Sequence, residues 1–181
     1  MTTTVEHSAT LKFLETLEGN GYEVVKIPVN SHGEISLEAV DEYLNDQTAL
    51  LSFLWANNET GVLFPVESLA RMAKQKDIWV HCDAVQAVGK LPVDVSLVPV
   101  DFLSLSGHKF GAPKGVGALF VRRGVKALAF HPGSQERGRR GGTENLPGIV
   151  ALGVAAEMAH QRLQSDIPMR VQALTHRLEA G

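Results

Sequence analysis

Apolar and polar positions run along this chain in two rhythms. In "TLKFLETLEGNG", Leu11, Leu14 and Leu17 recur at helical spacing, and Gly19-Asn20-Gly21 stops the run. "YEVVKIPV" reads as a strand. "SLEAVDEYL" reads as a helix, with Ser36 as its N-cap and Glu38 in the first turn. "TALLSFLWA" is a nearly continuous apolar run, as expected of a parallel strand covered on both faces. "VESLARMAKQKD" is amphipathic with helical period, and "IWVHCDAV", "VDFLSLS" and "GALFVRR" predict three further strands. An alanine-rich helix, "LPGIVALGVAAEMAHQRLQ", starts at Leu146. Strands and helices alternating across short polar connections predict an α/β layer with a mostly parallel sheet. No repeat, low-complexity tract or linker interrupts the pattern.

Composition narrows the classes. A chain of 181 residues, 44% hydrophobic and 20% charged, can bury a real core. Its net charge of −3 gives no footing for nucleic acid, and "RGRRGG" at 137–142 is too short to be a basic arm. One cysteine, Cys82, rules out an internal disulfide and a cysteine-based zinc cluster, and fits a reducing compartment. No stretch approaches the ~18 apolar residues of a membrane span. "MTTTVEHSAT" has neither the basic nor the apolar region of a signal peptide. A cytoplasmic location, away from membranes, is the expectation.

In open α/β sheets, ligands bind beyond the carboxyl ends of the strands. Three predicted strands end in polar groups. "WANNETG" brings Asn57 and Asn58, "VHCDAVQ" brings His81, Asp83 and Gln86, and "LSLSGHK" brings Ser106, His108 and Lys109. A lysine amine forms an imine with an aldehyde. A strand-end aspartate can hold a proton on a pyridine nitrogen. A serine hydroxyl and an imidazole, helped by backbone amides after Gly107, can hold a phosphate. Pyridoxal 5'-phosphate asks for all three, with an amide such as Gln86 near the ring oxygen as a useful fourth. Simpler readings stay open for each residue. Lys109 could be a solvated loop charge, Asp83 a helix N-cap and His108 a satisfied buried histidine. His81 and Asp83, two apart on one strand face, could join His108 around a metal.

"VEHSAT", "NNETG", "HCDAVQAVGKLPVD", "SLSGHKF", "PKGVGAL" and "GSQERGRRGGTEN" occur here in that order. With these motifs the chain resembles the NifS/IscS-type cysteine desulfurases, and its nitrogen-fixation branch in particular. These are class V, fold-type I pyridoxal-phosphate enzymes. The resemblance runs from about Thr3 to Gln164. It implies a three-layer α/β/α fold with a mostly parallel sheet. Residues 1–181 would be the central part of the cofactor-binding large domain, without the upstream phosphate loop or the C-terminal small domain. It implies Lys109 as the Schiff-base lysine and α-proton base, Asp83 as the partner of the ring nitrogen and Gln86 as that of the ring oxygen. His7 would stack on the ring with Asn58 beside it, and Ser106 and His108 would hold the phosphate. Thr143 would reach the phosphate of the other subunit in a homodimer. L-cysteine would be the substrate, alanine the product, and an iron–sulfur scaffold or another acceptor would take the sulfur.

In that family the persulfide cysteine and the arginine gripping the substrate carboxylate follow "GTEN", beyond the last residue here. The isolated chain is therefore expected to be inactive or nearly so. Cys82 is not expected to carry sulfur. It alternates with His81 and Asp83, so it faces the other side of the strand in apolar surroundings. Two stretches depart from the family pattern. "GA" in "HKFGAPKG" stands where a pair ending in glycine is usual, and "AFHPGSQE" where a Gly-Gly pair and one more residue are usual. Pro132 stiffens the second turn and removes an amide donor, which bears on the placement of Thr143. A class V aminotransferase, a selenocysteine lyase or a non-catalytic binding or dimerisation module on the same fold remain the other readings. Exposed apolar surface and unpaired edges predict poor solubility or self-association.

Overall fold

A computed structural model describes residues 1–126, 129 and 131–181. Phe130, in the "AFHPGSQE" stretch, lies outside the described residues. The chain runs β1 (Thr2–Thr3), α1 (Ser8–Gly19), β2 (Lys26–Ile27), α2 (Leu37–Tyr43), β3 (Leu50–Leu54), α3 (Val66–Gln75), β4 (Trp79–Asp83) and β5 (Phe102–Ser106). A 3-10 turn (Gly107–Lys109), β6 (Gly117–Val121), α4 (Gln135–Gly138), α5 (Leu146–Leu163) and α6 (Ile167–Glu179) follow. Two compact units divide it. The first takes Met1–Gln86, Asp94–Ser104 and Leu119–Arg122. The second takes Ala87–Val93, Leu105–Ala118 and Arg123–Gly181.

The first unit is built on a sheet of order β3-β4-β5-β6, with β3, β4 and β5 parallel. β3 pairs with β4 from Leu50 opposite Trp79 to Leu54 opposite Asp83, and β4 pairs with β5 from His81 opposite Phe102 to Asp83 opposite Ser104. The near-continuous apolar run of β3 has its reason in burial: Leu51, Ser52, Phe53 and Leu54 are all buried. β4 alternates instead, with Val80 and Cys82 buried and His81 and Asp83 half-buried on the opposite face. In α3, Val66, Leu69, Ala70 and Ala73 form a buried stripe at helical spacing. Beside it Lys74 Nζ pairs with Asp101 Oδ2 at 2.7 Å, and the same oxygen accepts the Val80 N–H at 2.8 Å. A small second sheet joins β1 and β2 in parallel, and Ser52 N–H donates to the Met1 carbonyl at 3.0 Å.

In the second unit, Phe110, Ala112, Ala155 and Ala159 form a core flanked by Val88, Leu105, Val116 and Leu152. Two glycines make this packing possible. A Cβ on Gly89, whose φ is +79°, would lie 2.4 Å from the Phe110 Cβ. One on Gly107 would lie 2.8 Å from Leu152 Cδ1 and 2.9 Å from the Ala112 Cβ. α5 and α6 pack on each other and leave Val150, Val154, Met158, Met169, Leu174 and Leu178 exposed.

Most predicted elements are present, and Ser36 caps α2 by accepting the Ala39 N–H at 3.1 Å, with Glu38 in the first turn. The strand expected over "YEVVKIPV" is shorter. Only Lys26 and Ile27 pair, because β1 offers them two residues to bond with. α6 and the 3-10 turn were not foreseen. In α6, Ile167, Val171, Leu174 and Leu178 do recur at i, i+4, i+7 and i+11, a helical stripe that stays exposed.

Candidate functional site

Four of the expected site residues, His7, Asn58, Asp83 and Gln86, belong to the first unit. His7 is exposed and caps α1, its Nδ1 accepting the Ala9 N–H at 3.2 Å. Histidine is an uncommon N-cap, so residue preference alone would not have marked it. Asn58 follows the end of β3, and its Nδ2 donates to Glu59 Oε1 at 2.7 Å. Its neighbour Asn57 shapes the loop. The Asn57 Oδ1 accepts the backbone N–H groups of Glu59 and Thr60 at 2.9 and 3.0 Å, and its Nδ2 donates to the Val5 carbonyl at 3.0 Å. A pocket of about 390 Å³ opens between these segments, lined by Val5, Glu6, His7, Asn57, Asn58 and Thr60.

Asp83 closes β4. Its Oδ1 accepts the Val85 N–H at 2.9 Å, and among the described residues Oδ2 takes no hydrogen bond. No helix follows it, so the N-cap reading of Asp83 gives way to a strand-end turn with one carboxylate oxygen to spare. Gln86, half-buried, lies three residues on and is engaged by the protein.

His81 bridges the sheet. Its Nδ1 meets Ser52 Oγ at 2.8 Å on β3, and its Nε2 meets Ser104 Oγ at 2.8 Å on β5. Burial pulls the imidazole below its ordinary pKa, with the Asp83 charge opposing. Both ring nitrogens are thus occupied by hydroxyls, which removes His81 from the metal reading. Among the described residues no group of three His, Cys, Asp or Glu side chains is arranged to hold a metal. Cys82, on the other strand face, is 0% exposed, and burial pushes its thiol well above the ordinary value, helped by Asp83 and Glu6. It is a buried apolar filler, as its alternation with His81 and Asp83 predicts.

The other four, Ser106, His108, Lys109 and Thr143, belong to the second unit. Ser106 ends β5, and its Oγ lies 2.9 Å from His108 Nδ1 across buried Gly107. His108 is exposed, so the buried-histidine reading is set aside. The Gly107 N–H donates to the Val116 carbonyl at 3.0 Å, which ties the turn down. Lys109 is exposed at the end of the turn. Among the described residues its amine has no hydrogen bond or ion pair. The amine of Lys90 lies near enough to feel its charge, and burial first and that charge second draw Lys90 below its ordinary value. Thr143 is exposed in the loop before α5, where Asn145 Oδ1 caps the helix by accepting the Gly148 N–H at 3.2 Å. Just upstream, in "SQERGRR", Glu136 (φ 49°) and Arg137 (φ 60°) are left-handed without being glycine, a strained pair of the sort found at functional loops.

Each unit holds groups of the kind a phosphorylated pyridine aldehyde asks for. Among the described residues, the first has a carboxylate oxygen without a hydrogen bond on Asp83, and the second has an amine without a hydrogen bond or ion pair on Lys109 and the Ser106–His108 pair at a tied-down turn. Sequence reasoning missed Glu6. It is 5% exposed beside His7, and its Oε1 accepts the Thr3 hydroxyl at 2.6 Å and the Leu54 N–H at 3.2 Å. A buried acid in a short polar segment leaves no periodic signal.

The family model of the aminotransferase class-V proteins matches residues 1–181. The chain is 50% identical to the cysteine desulfurase NifS of Azotobacter vinelandii, over 100% of this chain and 45% of that protein. A solved NifS-like protein superimposes with a TM-score of 0.87 at 43% identity, covering 90% of this chain and 46% of its own. SspA in complex with cysteine superimposes with a TM-score of 0.83 at 41% identity, over 86% of this chain and 46% of its own. The chain thus spans about half the length of the relatives it matches.

Proposed function

We propose that this chain, which belongs to the aminotransferase class-V family over its whole length, supplies the cofactor-binding part of a pyridoxal-phosphate-dependent cysteine desulfurase. The observation that carries the reading is 50% identity to a NifS desulfurase, with a Lys109 amine that has no hydrogen bond or ion pair among the described residues beside the Ser106–His108 pair.

Pyridoxal phosphate, when bound, supplies an electron-withdrawing ring that makes the α-proton of an amino acid acidic. Lys109 Nζ holds the aldehyde end and then serves as the base that takes that proton. Asp83 Oδ2, the oxygen without a hydrogen bond, keeps a proton on the ring nitrogen. Ser106 Oγ and the His108 ring bind the phosphate. His7 covers the ring face with Asn58 beside it, and Gln86 meets the ring oxygen. Thr143 serves the phosphate of a second subunit in a homodimer. The substrate is L-cysteine, in keeping with the relative solved with cysteine. A thiol outside these residues takes the sulfur as persulfide and leaves alanine, because Cys82 is sealed in the core. The sulfur then passes to an iron–sulfur scaffold or another acceptor. The chain by itself binds the cofactor without transferring sulfur.

The test is covalent trapping. Pyridoxal phosphate is added to the purified chain, the product is reduced with borohydride, and the adduct is located by mass spectrometry. The expected result is an adduct on Lys109 that Lys109→Ala abolishes. No adduct, or equal trapping in the variant, overturns the reading.

A further inference from the structure

Glu6 is a buried acid that the proposed chemistry does not use and that, unlike Asp101, has no cation paired with it among the described residues. Its Oε1 takes two donors, the Thr3 hydroxyl from β1 and the Leu54 N–H from the end of β3. Its Oε2 is buried and has no hydrogen-bond partner. The titratable groups facing it are Asp83 and Cys82 of β4, and neither can neutralise a carboxylate. From β1 and β3 it meets a hydroxyl and an amide. No lysine, arginine or histidine pairs with it among the described residues.

A bare carboxylate there would carry an uncompensated buried charge beside a second acid, the arrangement proteins avoid by keeping a proton. Burial is the main cause that pushes its pKa up to about 7. The Thr3 and Leu54 hydrogen bonds work against the rise, and the Asp83 charge adds to it. Asp83, whose charge adds to that rise, faces it from β4 and is less buried.

The contacts around Glu6 also hold backbone. Leu54 N–H reaches its side chain, and Asn57 Nδ2 reaches the Val5 carbonyl, so residues 5–7 are pinned from two points at the end of β3. His7 follows directly and lines the pocket with Glu6 and Asn58.

We propose that Glu6 is a positioning residue, kept as a neutral carboxylic acid that fastens the His7 segment to the end of β3. Loss of its proton puts two like charges against each other and loosens the segment. This rests on the reading of His7 and Asp83 as cofactor-facing, so the experiment separates the two.

The Glu6 carboxyl is followed by carbon-13 NMR in the full chain without cofactor, with Glu6→Gln identifying its signal. The expected midpoint is near 7. The backbone amides of His7 and Leu54 titrate with it, and both are flat in Glu6→Gln. In Asp83→Asn, which removes the facing charge, the midpoint moves to lower pH. In the loaded protein, the wild-type to Glu6→Gln ratio of pyridoxal-phosphate affinity falls by about fivefold between pH 7 and 8 if coupling is complete. A midpoint below 5, an unmoved midpoint in Asp83→Asn, or a His7 amide blind to the transition overturns the proposal. A midpoint near 7 with those shifts supports it even where no Lys109 adduct forms, an outcome that fells the cofactor reading alone.

Discussion

Ser106 Oγ and His108 Nδ1 meet at 2.9 Å across a glycine that has no room for a side chain. The hydroxyl and the imidazole are thus oriented by a turn whose own backbone is tied to Val116. Two groups held this way at the end of β5 form the cradle proposed for the cofactor phosphate.

If that cradle holds phosphate, Ser106→Ala and His108→Ala should each weaken pyridoxal phosphate by roughly 10-fold or more, the range of a hydrogen bond to a charged group. Pyridoxal without its phosphate should bind wild type and variants alike. Fluorescence titration with both ligands checks this. Equal losses for the two ligands would show that the pair acts on the turn, not on the phosphate.

Gly89→Ala should destabilise the second unit by about 2 kcal/mol or more, since overpacking and a left-handed φ add together. The new Cβ would meet the Phe110 Cβ at 2.4 Å, an atom next to backbone that cannot swing aside. Urea unfolding monitored by circular dichroism gives the value, and an unchanged midpoint would contradict the packing described.

Asp101, 3% exposed, serves both Lys74 and the Val80 N–H. Asp101→Ala should cost roughly 3–5 kcal/mol, because it leaves a cation and a buried amide without partners. Lys74→Met should also destabilise, since it leaves the buried Asp101 carboxylate without its cation and with the Val80 N–H as its remaining donor. A thermal melt of each variant and of the double variant separates the pair from its parts.

Much of this was legible in the chain itself. The alternation in "WVHCD" placed Cys82 away from His81 and Asp83, and burial in β4 follows it. The doubly apolar "LLSFL" announced a parallel strand, and "SLEAV" carried its own cap. The strand-end residues Asp83, Ser106 and Lys109 could be picked out because α/β sheets bind ligands there. What stayed hidden depends on distant partners. Thr2 and Thr3 read as polar, yet both are buried in a two-residue ladder. Glu6 leaves no mark in the sequence, because the Thr3 hydroxyl and the Leu54 N–H that hold it meet only when β1 and β3 come together. The Ser52–His81–Ser104 bridge needs three strands in register, which no local pattern encodes.

Cys82 should resist alkylation in the native chain, reacting only as fast as the protein opens. Mass spectrometry after iodoacetamide treatment, with and without urea, measures this. Cys82→Ala should keep cofactor trapping at Lys109 and lose about 1–2 kcal/mol of stability from the vacated volume. Rapid labelling without denaturant would reopen Cys82 as a sulfur carrier.

The stability of the chain should also carry the signature of Glu6. Its ordinary pKa is 4.5, and in the folded chain it is pushed up to about 7. Between these values the folded state holds a proton that the unfolded state has released. The native state binds more protons, so this group's contribution to stability falls as pH rises from 4.5 to 7. The full cost above that window is on the order of 3 kcal/mol. Glu6→Gln keeps the shape of the protonated acid and cannot ionise. The difference in unfolding free energy between wild type and Glu6→Gln should therefore grow across the window and level off above it, to the disadvantage of wild type. Urea titrations at half-unit pH steps give the curve. A difference that is flat from pH 5 to 8 would mean that Glu6 keeps an ordinary carboxylate pKa, and that burial at this position is relieved in solution.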